Sequence, residues 1–177
     1  DPQVFNYADV FQVPVIHMMD KFIASSVTTC QRFDETRVNI DRGKLLEEIS
    51  SDNYRRFEHT EDGLSPRSKL GLENGIFWNT GDESDIQGHI SEDPVNRIQM
   101  MDKRQSRLDY ILEKIPESEQ IVKHSEGDFC IVSWGSTQGP ILDAIEMLKN
   151  EGIDIGFVEI KLLHPFPKEL LKKSFSN

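Results

Sequence analysis

Several different rhythms of apolar residues run along the chain, and each predicts a different element. In residues 2–11, Val4, Tyr7, Ala8, Val10 and Phe11 approximate one helical face. Residues 13–19 carry Val13, Pro14, Val15, Ile16, Met18 and Met19 in a nearly continuous apolar run closed by Asp20, the pattern of a strand covered on both faces. Another helix start follows over 21–29. Residues 33–93 break the rhythm with turn formers around Gly63 and Pro66, at Gly71, at Asn74 and Gly75, and at Gly81 and Asp82. Short hydrophobic stretches such as Ile76, Phe77 and Trp78 separate them. Loops this long are uncommon in a compact protein and tend to be functional or to wrap a neighbour.

A long amphipathic helix is predicted between Pro94 and Pro116. Ser91, Glu92 and Asp93 supply a cap and early acids, and Pro94 suits the first helical position. Ile98, Met101, Leu108, Ile111, Leu112 and Ile115 recur at threes and fours, while Arg97, Lys103, Arg104 and Arg107 occupy the other face. That basic face reads as solvated or paired with the acidic loops, with a partner surface as the alternative. The last third restarts an α/β pattern: a buried strand over 128–134, a tight turn over 135–139, a helix over 140–150, a strand over 155–160, and a short final helix after Pro165 and Pro167. A strand, helix, strand unit of this size implies a right-handed crossover and a parallel pair. Residues 117–127 make the best domain boundary.

Composition narrows the function classes. Twenty Lys and Arg against thirty-one Asp and Glu give 20 − 31 = −11 over 177 residues, which argues against non-specific binding to nucleic acid or an anionic membrane. No stretch reaches the roughly 20 apolar residues of a membrane span. Cys30 and Cys130 stand far apart without CxxC spacing and read as buried free thiols. The chain begins Asp1, Pro2, Gln3 with no initiator Met and no signal peptide, the expectation for a piece of a longer polypeptide.

Chemistry has few places to sit. The turn Gly135, Ser136, Thr137, Gln138, Gly139 leads into a helix N-terminus, yet it lacks the Lys of a phosphate loop and reads as a structural turn. Residues 81–93 collect Asp82, Glu83, Asp85, Glu92, Asp93 and His89; the acids either bind a hard cation or pair with the basic helix, and His89 reads first as a hydrogen-bonding loop residue. Arg67 ends the turn Ser65, Pro66, Arg67, which would aim a guanidinium at a carboxylate or phosphate, or else form an ion pair with Asp62 or a neighbour.

The ordered motifs carry more than any one of them. Ala8 and Asp9, Val13 to Ile16, Asp20 to Phe22, the string Thr60, Glu61, Asp62, Gly63, Leu64, Ser65, Pro66, Arg67, then Gly81 to Glu83, Gly88 to Asp93, Asn96 and Arg97, Lys103 and Arg104, and Ile131 to Thr137 resemble the alpha subunit, or fused alpha part, of archaeal-type 2-oxoacid:ferredoxin oxidoreductases. The chain departs from the family loop at Ser84, Ile86 and Gln87. The resemblance implies an α/β architecture: residues 1–50 as the end of a thiamine-enzyme pyrimidine-type parallel-sheet domain, 51–119 as a loop-rich connector with the long helix, and 120–177 as a transketolase C-terminal-like α/β domain. It implies a cytoplasmic enzyme that decarboxylates a 2-oxoacid to an acyl-CoA and reduces ferredoxin, using thiamine diphosphate, Mg²⁺, a [4Fe–4S] cluster and coenzyme A. A beta subunit would carry the thiamine diphosphate and cluster, and a gamma subunit or fused part would complete the assembly. No catalytic, cofactor or metal residue transfers to this segment, and two cysteines are too few for a four-thiolate cluster. Arg67, Glu83 and His89 are the candidates for the active-site entrance or subunit interface. The alternatives are a transketolase-like or E1-type thiamine enzyme, or a non-catalytic interaction module.

Overall fold

A computed structural model describes residues 2–50 and 52–175. In chain order the elements are α1 (Pro2–Phe11), α2 (Lys21–Ser25), β1 (Leu45–Leu46), β2 (Arg67–Ser68), α3 (Pro94–Lys114), α4 (Glu117–Gln120), β3 (Ile121–Ser125), β4 (Phe129–Ser133), α5 (Gln138–Asn150), β5 (Ile155–Ile160) and α6 (Lys168–Phe175). It is a mixed α/β fold with small sheets. Two compact units divide the chain: one takes residues up to Ile16 with Phe33–Tyr110, the other His17–Arg32 with residues from Ile111 onward.

In the first unit the long loops are held by side chains that replace a regular sheet. Asn6 of α1 is buried because its amide donates to the Asn39 carbonyl (2.8 Å) while its oxygen accepts from the Asp41 amide (3.0 Å). Gly43, at φ +60°, lies so close to α1 that a Cβ there would meet the Val10 Cα at 2.8 Å. The loop can then enter β1, which pairs in parallel with β2 through Leu45 opposite Arg67 and Leu46 opposite Ser68. Phe11, Leu64 and Met100 are the buried apolar residues of this unit.

Helix α3 ends at Lys114, close to where Pro116 predicts, and Ile111 and, just past its end, Ile115 are buried as expected, but its earlier turns bury a different face from the expected one. In the first unit Met100 and Lys103 are buried and Arg107 is half-buried, whereas Ile98 and Met101 are exposed. The expectation of a solvated or loop-paired basic face is therefore corrected for Lys103 and Arg107. Their aliphatic stems pack inward while their charged ends reach loop carbonyls, which a hydrophobicity pattern does not register.

The second unit is built on a three-stranded sheet in the order β3, β5, β4. The parallel β4–β5 pair that the sequence predicts is present, with Phe129 opposite Ile155 and Ser133 opposite Glu159. Central β5 buries Phe157 and Val158 completely. Strand β3, antiparallel to β5, occupies the stretch the sequence reads as a boundary. It is joined to the end of α3 by Gln120, whose amide donates to the Leu112 and Ile115 carbonyls (2.9 and 2.7 Å) and so satisfies a helix terminus.

Three further expectations are corrected. Residues 14–20 form no regular structure, and Ile16, Met18 and Met19 are exposed; Pro14 has no amide hydrogen to donate to a ladder. Strand β4 is an edge strand with Phe129 75% exposed, not a buried one. Both free cysteines are exposed, because Cys30 follows α2 in an irregular stretch and Cys130 lies on β4.

Candidate functional site

Arg67 is fixed more thoroughly than any other candidate. Its backbone amide donates to the Lys44 carbonyl (2.8 Å), and the Tyr54 hydroxyl donates to the Pro66 carbonyl (2.8 Å) while accepting from the Ser68 amide (2.9 Å). Both flanks of Arg67 are thus tied to one phenol. Its guanidinium donates to Asp9 of α1 (3.1 Å) and to the Arg42 carbonyl (2.8 Å), and Arg42 itself pairs with Asp9 at 2.8 Å. The partner of Arg67 is therefore Asp9; Asp62 instead pairs with Lys44 at 2.7 Å. One carboxylate shared by two guanidinium groups leaves a net positive charge. Part of the Arg67 side chain, 21%, remains open.

More positive charge lies close by. The Arg56 guanidinium stacks over Phe57 and Phe77, 5.1 and 5.8 Å from their centroids. Burial lowers its pKa; Tyr54 opposes that shift and the Arg67 charge reinforces it. Below the turn, Lys103 donates to the Phe57 carbonyl (2.7 Å) and to Ser65 Oγ (2.5 Å). Burial first, then the charges of Arg107, Arg56 and Arg104, push its pKa down to about 8, against a smaller opposing pull from Glu58. Arg107 donates to the carbonyls of Gly63 (2.8 Å) and Gln12 (2.9 Å). Gly63 has φ +70°, and a Cβ there would sit 2.7 Å from the Lys103 carbonyl, so the turn lies directly on α3.

Glu83 and His89 belong to a different construction. Asp85 accepts from the amides of Gln87, Gly88 and His89 (2.8, 2.9 and 3.0 Å), which outweigh its burial and hold its pKa low. Ser84 bridges Ile90 in antiparallel fashion, and the Ser91 amide donates to the Glu83 carbonyl (2.9 Å). Gly88 is required, since a Cβ would lie 2.0 Å from the Trp78 carbonyl oxygen. Arg104 clamps the loop to α3 with bonds of 3.0 and 2.7 Å to the two Glu83 oxygens; they hold the Glu83 pKa below the ordinary range despite burial. Glu83 also borders a shallow cleft of about 380 Å³ with Asp82, Glu92 and Arg97, where acids outnumber the cation. His89 is about half-exposed, its ring 5.8 Å from that of Trp78 and its Nδ1 3.7 Å from Asp85.

Each of the three candidates is therefore held by its own partners, and only Arg67 sits in a basic environment suited to an anion. Asp9, Tyr54 and Lys103 are the residues that the sequence reading does not single out for the site. Asp9 and Lys103 enter only as parts of motifs, Lys103 also on the basic helix face, and neither the phenol nor the lysine carries a local sign of its task. Residues 135–139 form a short 3-10 turn (Gly135–Thr137) leading into α5, with Ser133 and Thr137 hydroxyls joined. Among the described residues, no group of three or more His, Cys, Asp and Glu side chains is placed to share a metal ion. No helix among them is long and apolar enough to cross a membrane.

Comparison with known proteins identifies the lineage. Residues 127–177 match the model of the pyruvate:ferredoxin oxidoreductase core domain II. The chain is 46% identical over 97% of its length to the alpha subunit of 2-oxoacid:ferredoxin oxidoreductase 2 of Aeropyrum pernix, and covers 27% of that protein. It is 38% identical over 95% of its length to the 2-oxoacid:ferredoxin oxidoreductase alpha subunit of Saccharolobus solfataricus, again covering 27%. A solved 2-oxoglutarate:ferredoxin oxidoreductase from Magnetococcus marinus, with 2-oxoglutarate, coenzyme A and succinyl-CoA bound, superposes with a TM-score of 0.82 at 29% identity, over 95% of this chain and 29% of that one. The chain thus spans about a quarter of the length of the curated relatives it matches. It belongs, as a segment, to the alpha-subunit family of the 2-oxoacid:ferredoxin oxidoreductases.

Proposed function

We propose that this segment lines the entrance to the active site of a 2-oxoacid:ferredoxin oxidoreductase, with Arg67 receiving the carboxylate of the 2-oxoacid and residues 81–93, including Glu83 and His89, ordering a neighbouring subunit. The overall reaction takes a 2-oxoacid, coenzyme A and two oxidised ferredoxins to an acyl-CoA, carbon dioxide, a proton and two reduced ferredoxins. The observation that carries the reading is the collinear similarity over nearly the whole chain to alpha subunits of that name. The basic setting of Arg67 supplies the chemistry: a rigid guanidinium with unbalanced positive charge recognises a planar carboxylate through its fork of donors.

The residues present do not fit the redox cofactors. Two cysteines cannot supply four thiolates, and the 135–139 turn brings no lysine for a diphosphate. The family resemblance implies that a beta subunit carries thiamine diphosphate, Mg²⁺ and the [4Fe–4S] cluster, with a gamma part, ferredoxin as acceptor and a cytoplasmic setting. Residues 1–50 would close a pyrimidine-type domain, 51–119 connect, and 120–177 open a transketolase C-terminal-like domain.

The test is Arg67→Ala in the full-length alpha subunit assembled with its partners. The expected result is a KM for the 2-oxoacid raised on the order of tenfold or more, the loss typical of a charged hydrogen bond. Normal assembly with unchanged KM and turnover for Arg67→Ala and His89→Ala would leave this region merely structural.

A further inference from the structure

We propose that Lys103 is a positioning residue for Arg67: from the buried face of α3 it fixes the turn Ser65, Pro66, Arg67, and so governs affinity for the 2-oxoacid carboxylate. The inference rests on the reading of Arg67 given above and adds to it a residue that touches no substrate.

Lys103 is 7% exposed, and its neighbours Arg107 and Arg104 on α3 and Arg56 on the adjoining loop carry the same charge; Glu58 is the opposing acid. Burying an ammonium among cations is unfavourable, and a methionine would fill the same space without that penalty. Stability alone does not account for a lysine here.

Its bonds show what the lysine does. Ser65 is fully buried, and its hydroxyl donates to the Glu58 carbonyl (2.7 Å), so its oxygen is left to accept from Lys103. The chain Lys103 to Ser65 to Glu58 has one direction. Lys103 donates also to the Phe57 carbonyl (2.7 Å), tying both sides of the 57–65 loop to one nitrogen. Gln12 holds the Ser65 carbonyl (2.6 Å). Between Ser65 and Arg67 stands only Pro66, whose ring restricts φ, so a shift at Ser65 is passed directly to Arg67. Even a small displacement of a binding group from its productive position weakens binding severely.

The test uses the full-length, assembled enzyme with Lys103→Met, Arg67→Ala and the double variant, and Ser65→Ala as an independent break in the same chain. Lys103→Met is expected to keep or raise the thermal midpoint, to raise KM for the 2-oxoacid at least about fivefold with little change in kcat or in KM for coenzyme A, and to add nothing in the Arg67→Ala background. Ser65→Ala should shift KM in the same direction. If Arg67→Ala raises KM but Lys103→Met and Ser65→Ala do not, or if Lys103→Met only lowers the midpoint, Lys103 is structural and the inference fails. If Arg67→Ala leaves KM unaltered, it is the reading of Arg67 that fails, and the inference falls with it.

Discussion

The Lys103 ammonium is stable in place because two acceptors hold it, yet its charge works against folding. Its pKa is about 8 in the folded chain against an ordinary value of 10.5, so between those limits the unfolded chain binds the proton more tightly. Unfolding then becomes less favourable as pH rises. The cost of the buried charge is present in full below pH 8 and is relieved as pH rises towards 10.5. The stability advantage of Lys103→Met over the wild type should therefore shrink between pH 8 and pH 10.5 in thermal unfolding; an advantage that grows with pH would contradict the placement. Gly88 offers a second test of a single residue. Its φ of +98° and the 2.0 Å that would separate a Cβ from the Trp78 carbonyl oxygen leave no room for a methyl group. Gly88→Ala should cost about 1–3 kcal/mol for the backbone alone and more for the clash, lowering the thermal midpoint by several degrees. Neither feature is legible in sequence, because a lysine in a helix and a glycine in a loop each have an ordinary surface explanation.

At the scale of elements, caps and breakers prove more readable than faces. Pro94 and Pro116 place α3 within a residue or two, since they act on the backbone locally. Which side of α3 is buried depends on the 57–65 loop, far away in sequence, and the carbonyls that loop presents turn Lys103 and Arg107 inward. The same holds for the acidic loop: the pairing of Glu83 with a basic helix is legible as an option, but its choice of Arg104 is tertiary. Because Arg104 holds the Glu83 pKa low, this pair stabilises above the unfolded carboxylate pKa and loses its contribution as pH falls below about 4.3. Arg104 is about half-exposed, so Glu83→Gln should cost only about 0–1 kcal/mol at pH 7, and wild type and variant should converge in acid urea titrations. In the second unit, β4 and β5 are legible from short apolar runs bounded by turns, and their parallel pairing from the helix between them. Strand β3 is hidden, its polar Lys123, His124 and Ser125 giving no apolar rhythm. His124 becomes strand-like only through tertiary contacts: it stacks on Phe157 at 4.8 Å and meets Glu159 at 2.9 Å.

For the whole molecule, the large apolar side chains left exposed are informative. Phe22, Val27 and Phe33 are 80, 99 and 84% exposed, and Phe129 and Met147 are 75 and 69% exposed. Apolar surface on this scale marks contact with other protein or a tendency to associate. Residues 1–177 expressed alone should therefore self-associate, visible as oligomers by light scattering, and a monodisperse monomer would contradict this. The same polypeptide should fail to reduce a viologen dye with any 2-oxoacid, since two cysteines cannot supply the four thiolates of the cluster proposed to pass electrons on; turnover by it alone would overturn the division of labour proposed here. Motifs in fixed order are enough to reveal the family, and local backbone chemistry is enough to bound α3. The net charge of −11 and the shortage of thiolates follow from counting residues. That Asp9, Tyr54 and Lys103 converge on the segment carrying Arg67, and that β4 and both cysteines lie exposed, emerges only once the chain is folded. Those outcomes depend on contacts between residues tens of positions apart, and burial and hydrogen bonding across such separations leave no periodic trace in the residues that make them.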